Sequence, residues 1–235
     1  SNDGLSETNG AGIYAIMEVC SSVPVCTDPT VSAPSPSYQQ LCQNAPIQDV
    51  SVIASNGVGS TYFYQWYENT VNNNTTGTAI AGATSSSYTP QNTLVGITYY
   101  YCVVTQPASS CESTSITAEV DIVPNPMFTT QPLDDQVCIG AVISPLSISY
   151  INGSGTPQYQ WYENTVNNNT TGTAIAGATS SSYTPSTAIA GATYYYCVVT
   201  LSGNGCVNIV SLFAEIIVSP QATAEAGPPA TICIG

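Results

Sequence analysis

A 27-residue segment, YQWYENTVNNNTTGTAIAGATSSSYTP, fills residues 64–90 and again residues 159–185 without one difference. Any fold for this chain must build the same local structure twice. The flanks extend the correspondence: Trp66 with Trp161, Cys102 with Cys197 and Cys111 with Cys206 are all 95 positions apart. Cys42, Cys138 and Cys233 continue the series at spacings of 96 and 95, and the QVCIG around Cys138 is echoed by TICIG around Cys233. The chain therefore divides into the end of an upstream unit or a cap at 1–30, repeats at 31–124 and 125–220, and the opening of a third repeat at 221–235. The prolines of VPNP and VSPQ at the two joints favour extended, semi-rigid connections.

Within a unit the apolar pattern has period two. DVSVIAS alternates Val50, Val52 and Ala54, and its counterpart alternates Leu146, Ile148 and Tyr150. TYFYQWYEN and ITYYYCVVT are rich in aromatic and β-branched residues, and Gly, Asn, Ser and Pro clusters separate such runs. The expected fold is all-β, with tandem antiparallel sandwiches of about seven strands each.

Composition removes whole classes of function. The 235 residues include no Lys, Arg or His, while Asp and Glu number 14, for a formal charge of −14. Phosphate backbones and anionic headgroups are held mainly by Lys and Arg, so neither nucleic acid nor a membrane surface is an expected partner. A Ser/His/Asp triad, a Cys/His pair, a Schiff base and a His-containing zinc site all lack a required residue. Paired carboxylates remain open in principle for glycoside hydrolysis. The candidates Glu68 and Glu163, however, are equivalent positions in two repeats and are expected to be ordinary surface residues, so the chain is not expected to be an enzyme.

Nine cysteines without a CxxC pair point to disulfides and an oxidising, extracellular location. No run approaches the roughly 20 apolar residues of a membrane span, and SNDGLSETNG lacks the features of a signal peptide. The expectation is of a processed or interior piece of an exported protein.

Trp66 on the third run, with Tyr100 two residues before Cys102, resembles the strand C tryptophan and strand F tyrosine corner of immunoglobulin-like domains; Trp161, Tyr195 and Cys197 repeat the pattern. The wider wording, YQWYENT, IAGATSSSYTP and TYYYCVVT followed by AEAGPPATICIG, resembles the tandem Ig-like modules of large Bacteroidota surface adhesins, including gliding adhesins. That resemblance implies a secreted, many-repeat, cell-surface stalk or filament used in attachment or surface motility. One departure is plain: Val52 and Ile148 stand where a strand B cysteine would face Cys102 and Cys197, so the usual bridge between strands B and F is absent.

The nine-residue spacing of Cys102 to Cys111, and of Cys197 to Cys206, opposes each pair directly in an unbulged hairpin, which favours bridges within it. Cys42, Cys138 and Cys233 are then left to bridge neighbouring repeats or chains, or to stay free; the alternative joins Cys42 to Cys102 and Cys138 to Cys197. With Cys102 facing inward, alternation places Tyr67, Tyr99 and Tyr101, and likewise Tyr162, Tyr194 and Tyr196, on an outer face. This stripe is expected to be either ordinary cross-strand aromatic packing or a surface that grips polysaccharide or a neighbouring fibre. Sequons at Asn73, Asn74, Asn152, Asn168 and Asn169 are read first as polar loop. Asp134 and Asp135 offer calcium an incomplete ligand set, and no other cofactor is expected. The expected role is a structural repeat of an exported adhesin or filament, contacting its neighbouring repeats and self-associating into fibres; a carbohydrate-binding module is the alternative.

Overall fold

A computed structural model describes residues 27–107 and 111–221. Every regular element among them is a strand. The first repeat contains β1 (Thr30–Val31), β2 (Tyr38–Cys42), β3 (Val50–Ser51), β4 (Ala54–Ser55), β5 (Phe63–Asn69), β6 (Thr78–Ala79), β7 (Ser87–Tyr88), β8 (Gly96–Gln106), β9 (Cys111–Thr114) and β10 (Ala118–Val123). The second contains β11 (Met127–Thr130), β12 (Asp135–Cys138), β13 (Leu146–Ser147), β14 (Ser149–Ile151), β15 (Thr156–Asn164), β16 (Thr173–Ala174), β17 (Ser182–Tyr183), β18 (Gly191–Ser202), β19 (Ile209–Val210) and β20 (Ala214–Ser219).

Each repeat is a two-layer Ig-like sandwich. The larger layer runs β2-β10-β8-β5-β6 in the first repeat and β12-β20-β18-β15-β16 in the second, with β9 or β19 also on the long central strand. Short pairs, β1 with β4 and β3 with β7, then β11 with β14 and β13 with β17, supply the facing layer. Neighbours run antiparallel except β2 on β10 and β12 on β20, which are parallel. In β10 the small and branched residues Ala118, Val120 and Ile122 alternate inward, as period two requires.

Trp66 and Trp161 fill the centres of the two cores, fully buried. Each indole N–H donates to a carbonyl 2.9 Å away, Ser85 in one repeat and Ser180 in the other, so the buried polar group is paired. Tyr88 lies 6.2 Å from the Trp66 ring and 5.6 Å from that of Tyr100; Tyr183 repeats this at 6.1 and 5.7 Å. Burial pushes the Tyr100 hydroxyl up to about 12, and the group hydrogen-bonds the backbone at Gln91. Val52 and Ile148 sit in these cores as apolar filling.

The last strand of each sandwich is broken in the middle. β9 pairs with β8 as Gln106↔Cys111 and Val103↔Thr114, whereas β10 pairs as Tyr100↔Ala118, a shift of one residue. Ser115 sits at the break, buried, and is bound to Cys102 through both backbone and side chain. Its N–H donates to the Cys102 carbonyl at 2.9 Å, and its Oγ accepts the Cys102 N–H at 3.0 Å. Ser211 does the same for Cys197 at 2.9 and 2.9 Å. Changing Ser115 or Ser211 to Ala strands a buried N–H, and the expected loss is about 1–3 kcal/mol in urea unfolding of that repeat. An unchanged midpoint would show that the bulge does not depend on the hydroxyl.

Candidate functional site at the repeat junction

The site with the most built structure is the contact between the two sandwiches. β2 and β10 end side by side at Cys42 and Val123, and the linker Pro124 to Pro126 leads from there into β11. Cys42 forms a disulfide with Cys206, 164 positions away, with Cα atoms 4.9 Å apart. Cys206 follows Gly203, Asn204 and Gly205 in the turn beyond β18, where both glycines hold positive φ, +110° and +64°. Asn204 supports the link twice: its carbonyl accepts the Cys42 N–H at 3.0 Å, and its side-chain amide donates to Gln40 Oε1 at 3.3 Å. The hydroxyl of Ser154 donates to the same Gln40 oxygen at 2.5 Å and accepts from Asn204 Nδ2 at 2.6 Å. On the linker side, Gly153 N–H donates to the Pro124 carbonyl at 2.9 Å and Asn125 Nδ2 to the Gln43 carbonyl at 3.2 Å. Leu201 buries itself beside Cys42 and Cys206, with Val123 and Tyr150 packed around them.

The expected hairpin bridges are not made. Cys102 and Cys197 are free, buried thiols, and Cys206 is joined to the preceding repeat. Cys111 is disulfide-bonded as well, though not to Cys102. The reason is register: the β-branched run Val103, Val104, Thr105 carries β8 on to Gln106, so Cys111 opposes Gln106 and Cys102 opposes the bulged Ser115. The alternative bridges from Cys42 to Cys102 and from Cys138 to Cys197 are not made either. Cys138 is free and exposed, and Cys233, like Cys20 and Cys26, lies outside the described residues.

The outer tyrosines form pairs rather than an open stripe. Tyr67 stacks on Tyr101 at 5.1 Å and 5°, and Tyr162 on Tyr196 at 5.0 Å and 4°. Tyr101 and Tyr196, however, are each only 3% exposed, because the loop after β5 or β15 closes over them. Gly77 N–H donates to the Tyr101 hydroxyl at 3.0 Å and Gly172 N–H to that of Tyr196 at 3.1 Å. A Cβ at Gly77 would stand 2.7 Å from the Tyr101 ring, which is why glycine occupies the position. Asn69 and Asn73 knit this roof: Asn69 Nδ2 donates to Asn73 Oδ1 at 3.0 Å, which also accepts from the Thr76 hydroxyl at 2.8 Å. Tyr99 is half-buried, and Tyr194 donates to Glu215 Oε1 at 2.9 Å beneath Phe213.

The sequon residues Asn74 and Asn169 spend their amides on the Ser115 and Ser211 carbonyls, at 2.8 and 2.7 Å, and so belong to the scaffold. Asp134 Oδ1 accepts the Glu215 N–H at 2.7 Å and Asp135 Oδ1 the Gln136 N–H at 2.8 Å. Glu68 and Glu163 are exposed on β5 and β15, one in each repeat.

A family model described as a domain of unknown function, DUF8696, matches residues 32–125 and 129–220, one match for each sandwich. The chain belongs to this family. No curated protein matches it. Among solved structures, the three N-terminal domains of the bacteriophage RB49 highly immunogenic outer capsid protein are similar at 12% identity and TM-score 0.49, over 82% of this chain and 70% of that one. Domains 3–5 of the extracellular part of Drosophila OTK are similar at 15% identity and TM-score 0.48, over 80% of this chain. Sidekick-1 immunoglobulin domains 1–5 give 16% identity and TM-score 0.47, over 83% of this chain. The DUF8696 pair spans 60% of the OTK chain and 39% of the Sidekick-1 chain, and at these identities the likeness concerns the fold alone.

Burial separates the three free thiols among the described residues by reactivity. It pushes Cys102 up to about 12 and Cys197 to about 11, in each case against a small opposing backbone hydrogen bond. Alkylation of the native protein, mapped by mass spectrometry, is expected to modify Cys138 but to reach Cys102 and Cys197 only in denaturant. In the unfolded chain these two thiols ionise near their ordinary value of 9.0, while the fold keeps them protonated. Their contribution to stability is thus complete below pH 9 and is lost as pH rises through 11 to 12. The urea midpoint should fall between pH 9 and 11, and replacing Cys102 and Cys197 with Ala should flatten that fall.

Gly205 also fixes the junction. A Cβ there would meet that of Ala45 at 2.6 Å, and the left-handed backbone costs a non-glycine residue about 1–2 kcal/mol. After oxidative refolding, Gly205→Ala should leave Cys42 and Cys206 partly alkylatable; full bridge formation would show that the turn tolerates the added methyl.

Proposed function

We propose that this DUF8696 pair is a spacer segment of an exported, cell-surface adhesin or filament, serving attachment or surface motility as a stalk. The observation that carries this reading is the Cys42–Cys206 disulfide, which spends a covalent bond on holding one repeat against the next. A hinged pair of binding modules gains nothing from such a bond, whereas a stalk gains a fixed direction and resistance to pulling. Repetition adds length with each copy and, where the stalk presents ligands, avidity. A charge of −14 with no compensating cation opposes side-by-side collapse of neighbouring stalks. The disulfide also accords with an oxidising location outside the cell.

The carbohydrate-binding alternative loses support at its centre, since Tyr101 and Tyr196 are roofed over. Glycan-array binding by this chain that disappears with Tyr67→Ala would replace the stalk reading with it.

Small-angle scattering tests the stalk directly. The oxidised chain is expected to give one narrow distribution of inter-repeat geometry. Reduction, or Cys42→Ser, should broaden it while tryptophan fluorescence reports both cores intact. A distribution already broad with the disulfide formed would sink the proposal.

A further inference from the structure

The second repeat ends in a surface whose backbone register and turn repeat those on which the first repeat receives its neighbour, with the glutamine, cysteine and alanine of that stretch kept and several other side chains changed. β12 lies on β20 as β2 lies on β10, with Cys138 opposite Ser219 and Cys42 opposite Val123. The turn that follows is the same in both. Ala45 N–H donates to the Cys42 carbonyl at 3.0 Å and Ala141 N–H to that of Cys138 at 3.0 Å; Asn44 N–H reaches Asn92 at 2.8 Å, and Gly140 N–H reaches Thr187 at 3.0 Å. Two residues before each cysteine stands a glutamine, Gln40 or Gln136. What differs is coverage. Cys42 and Ala45 are buried, whereas Cys138, Gln136 and Ala141 are exposed, and Val142 is 97% exposed at the position where Pro46 lies beside Gly205.

We infer that Cys138 is the acceptor half of a second junction, and that its partner is the turn beyond the β18-equivalent strand of another DUF8696 repeat following in tandem, through the cysteine equivalent to Cys206. The inference rests on the spacer reading above. The occupant is set by the first junction, where the same turn geometry, glutamine and thiol are occupied by such a turn. The sequence carries the series on, since TICIG around Cys233 repeats the QVCIG around Cys138. A general rule follows: the cysteine ending the β2-equivalent strand of one repeat is bonded to the turn cysteine of the next, so a run of repeats is linked link by link. Chemically, the two thiols lose two protons and two electrons to a small disulfide such as oxidised glutathione, which leaves as two thiols; one S–S bond forms and one breaks.

The test keeps the full chain and inserts one further copy of residues 125–220 directly after Pro220. Val142→Ala and Val207→Ala within the inserted copy, both at exposed positions, distinguish its peptides by mass. After refolding with oxidised glutathione, non-reducing mapping of peptic fragments should show Cys138 bonded to the inserted counterpart of Cys206. Native alkylation of Cys138 should be lost and should appear instead at the inserted counterpart of Cys138. Cys138 remaining alkylatable beside a folded inserted sandwich overturns the proposal. Should the inserted unit fail to show the third native tryptophan signal, the same copy placed after Pro124 is read instead. There the middle unit's counterpart of Cys138 must bond to Cys206, and its remaining free overturns the proposal equally. With Cys42 bonded to Cys206, or in the second arrangement to the inserted counterpart of Cys206, either failure leaves the stalk reading standing, because that reading falls only on the scattering result.

Discussion

The pairing of Cys102 with Ser115, and of Cys197 with Ser211, sets the backbone frame from which the rest of each repeat follows. A bulged serine satisfies both the N–H and the C=O of the central strand at that point, and the one-residue shift it introduces lets the two halves of the last strand pair with that one strand in two registers. One half, β10 or β20, closes the core with Ala118 or Ala214 against the tyrosine corner. The other half, β9 or β19, pairs with the far end of the central strand, and in the second repeat the turn just before it carries Cys206, which bonds to the preceding repeat. The inner cysteine is meanwhile sealed under tryptophan, where burial holds it as an unreactive thiol.

Charge chemistry is solved in an unusual currency. With no Lys, Arg or His, the carboxylates that need partners take them from neutral donors: Asp121 from Gln40 Nε2 at 2.7 Å, Glu215 from the Tyr194 hydroxyl at 2.9 Å, Asp134 from a backbone N–H at 2.7 Å. The junction between repeats follows the same rule, with Gln40, Ser154 and Asn204 forming an amide and hydroxyl network around the disulfide. Salt weakens contacts between opposite charges far more than contacts of this kind.

Much of the architecture was legible in the sequence because it rests on local signals. The period-two runs gave the strands, and Trp66, Tyr100 and Cys102 gave the core and the Ig-like class. The sulfur connectivity was not legible, since a spacing of nine fixes opposition only when the register is known, and the register turned on the bulge at Ser115. The covered state of Tyr101 was hidden for a related reason. Alternation places its ring outside the sandwich, but the roof comes from the loop between β5 and β6, where Gly77 allows the backbone to approach the phenol. Cys42 was left over in the sequence for a bridge between repeats, and it makes one, but only the three-dimensional path of the following repeat identifies Cys206 as its partner.

The verbatim segment has a further consequence. Residues 64–90 and 159–185 are identical, and so is the stretch with which β5 and β15 pair, TYYYCVVT at 98–105 and at 193–200, although β7 and β17 meet different partners, Val50–Ser51 and Leu146–Ser147. On this central ladder the local contacts therefore do not distinguish the correct partner from its twin in the next sandwich. Selection between them rests on chain connectivity: the nearer partner closes the shorter loop, and each doubling of loop length costs only about 0.6 kcal/mol. Long arrays of such units run close to the conditions for strand exchange between neighbours, a known failure of tandem repeats. Folding each sandwich before the next one is complete, as synthesis from the N-terminus provides, keeps the twin out of reach at the moment of choice.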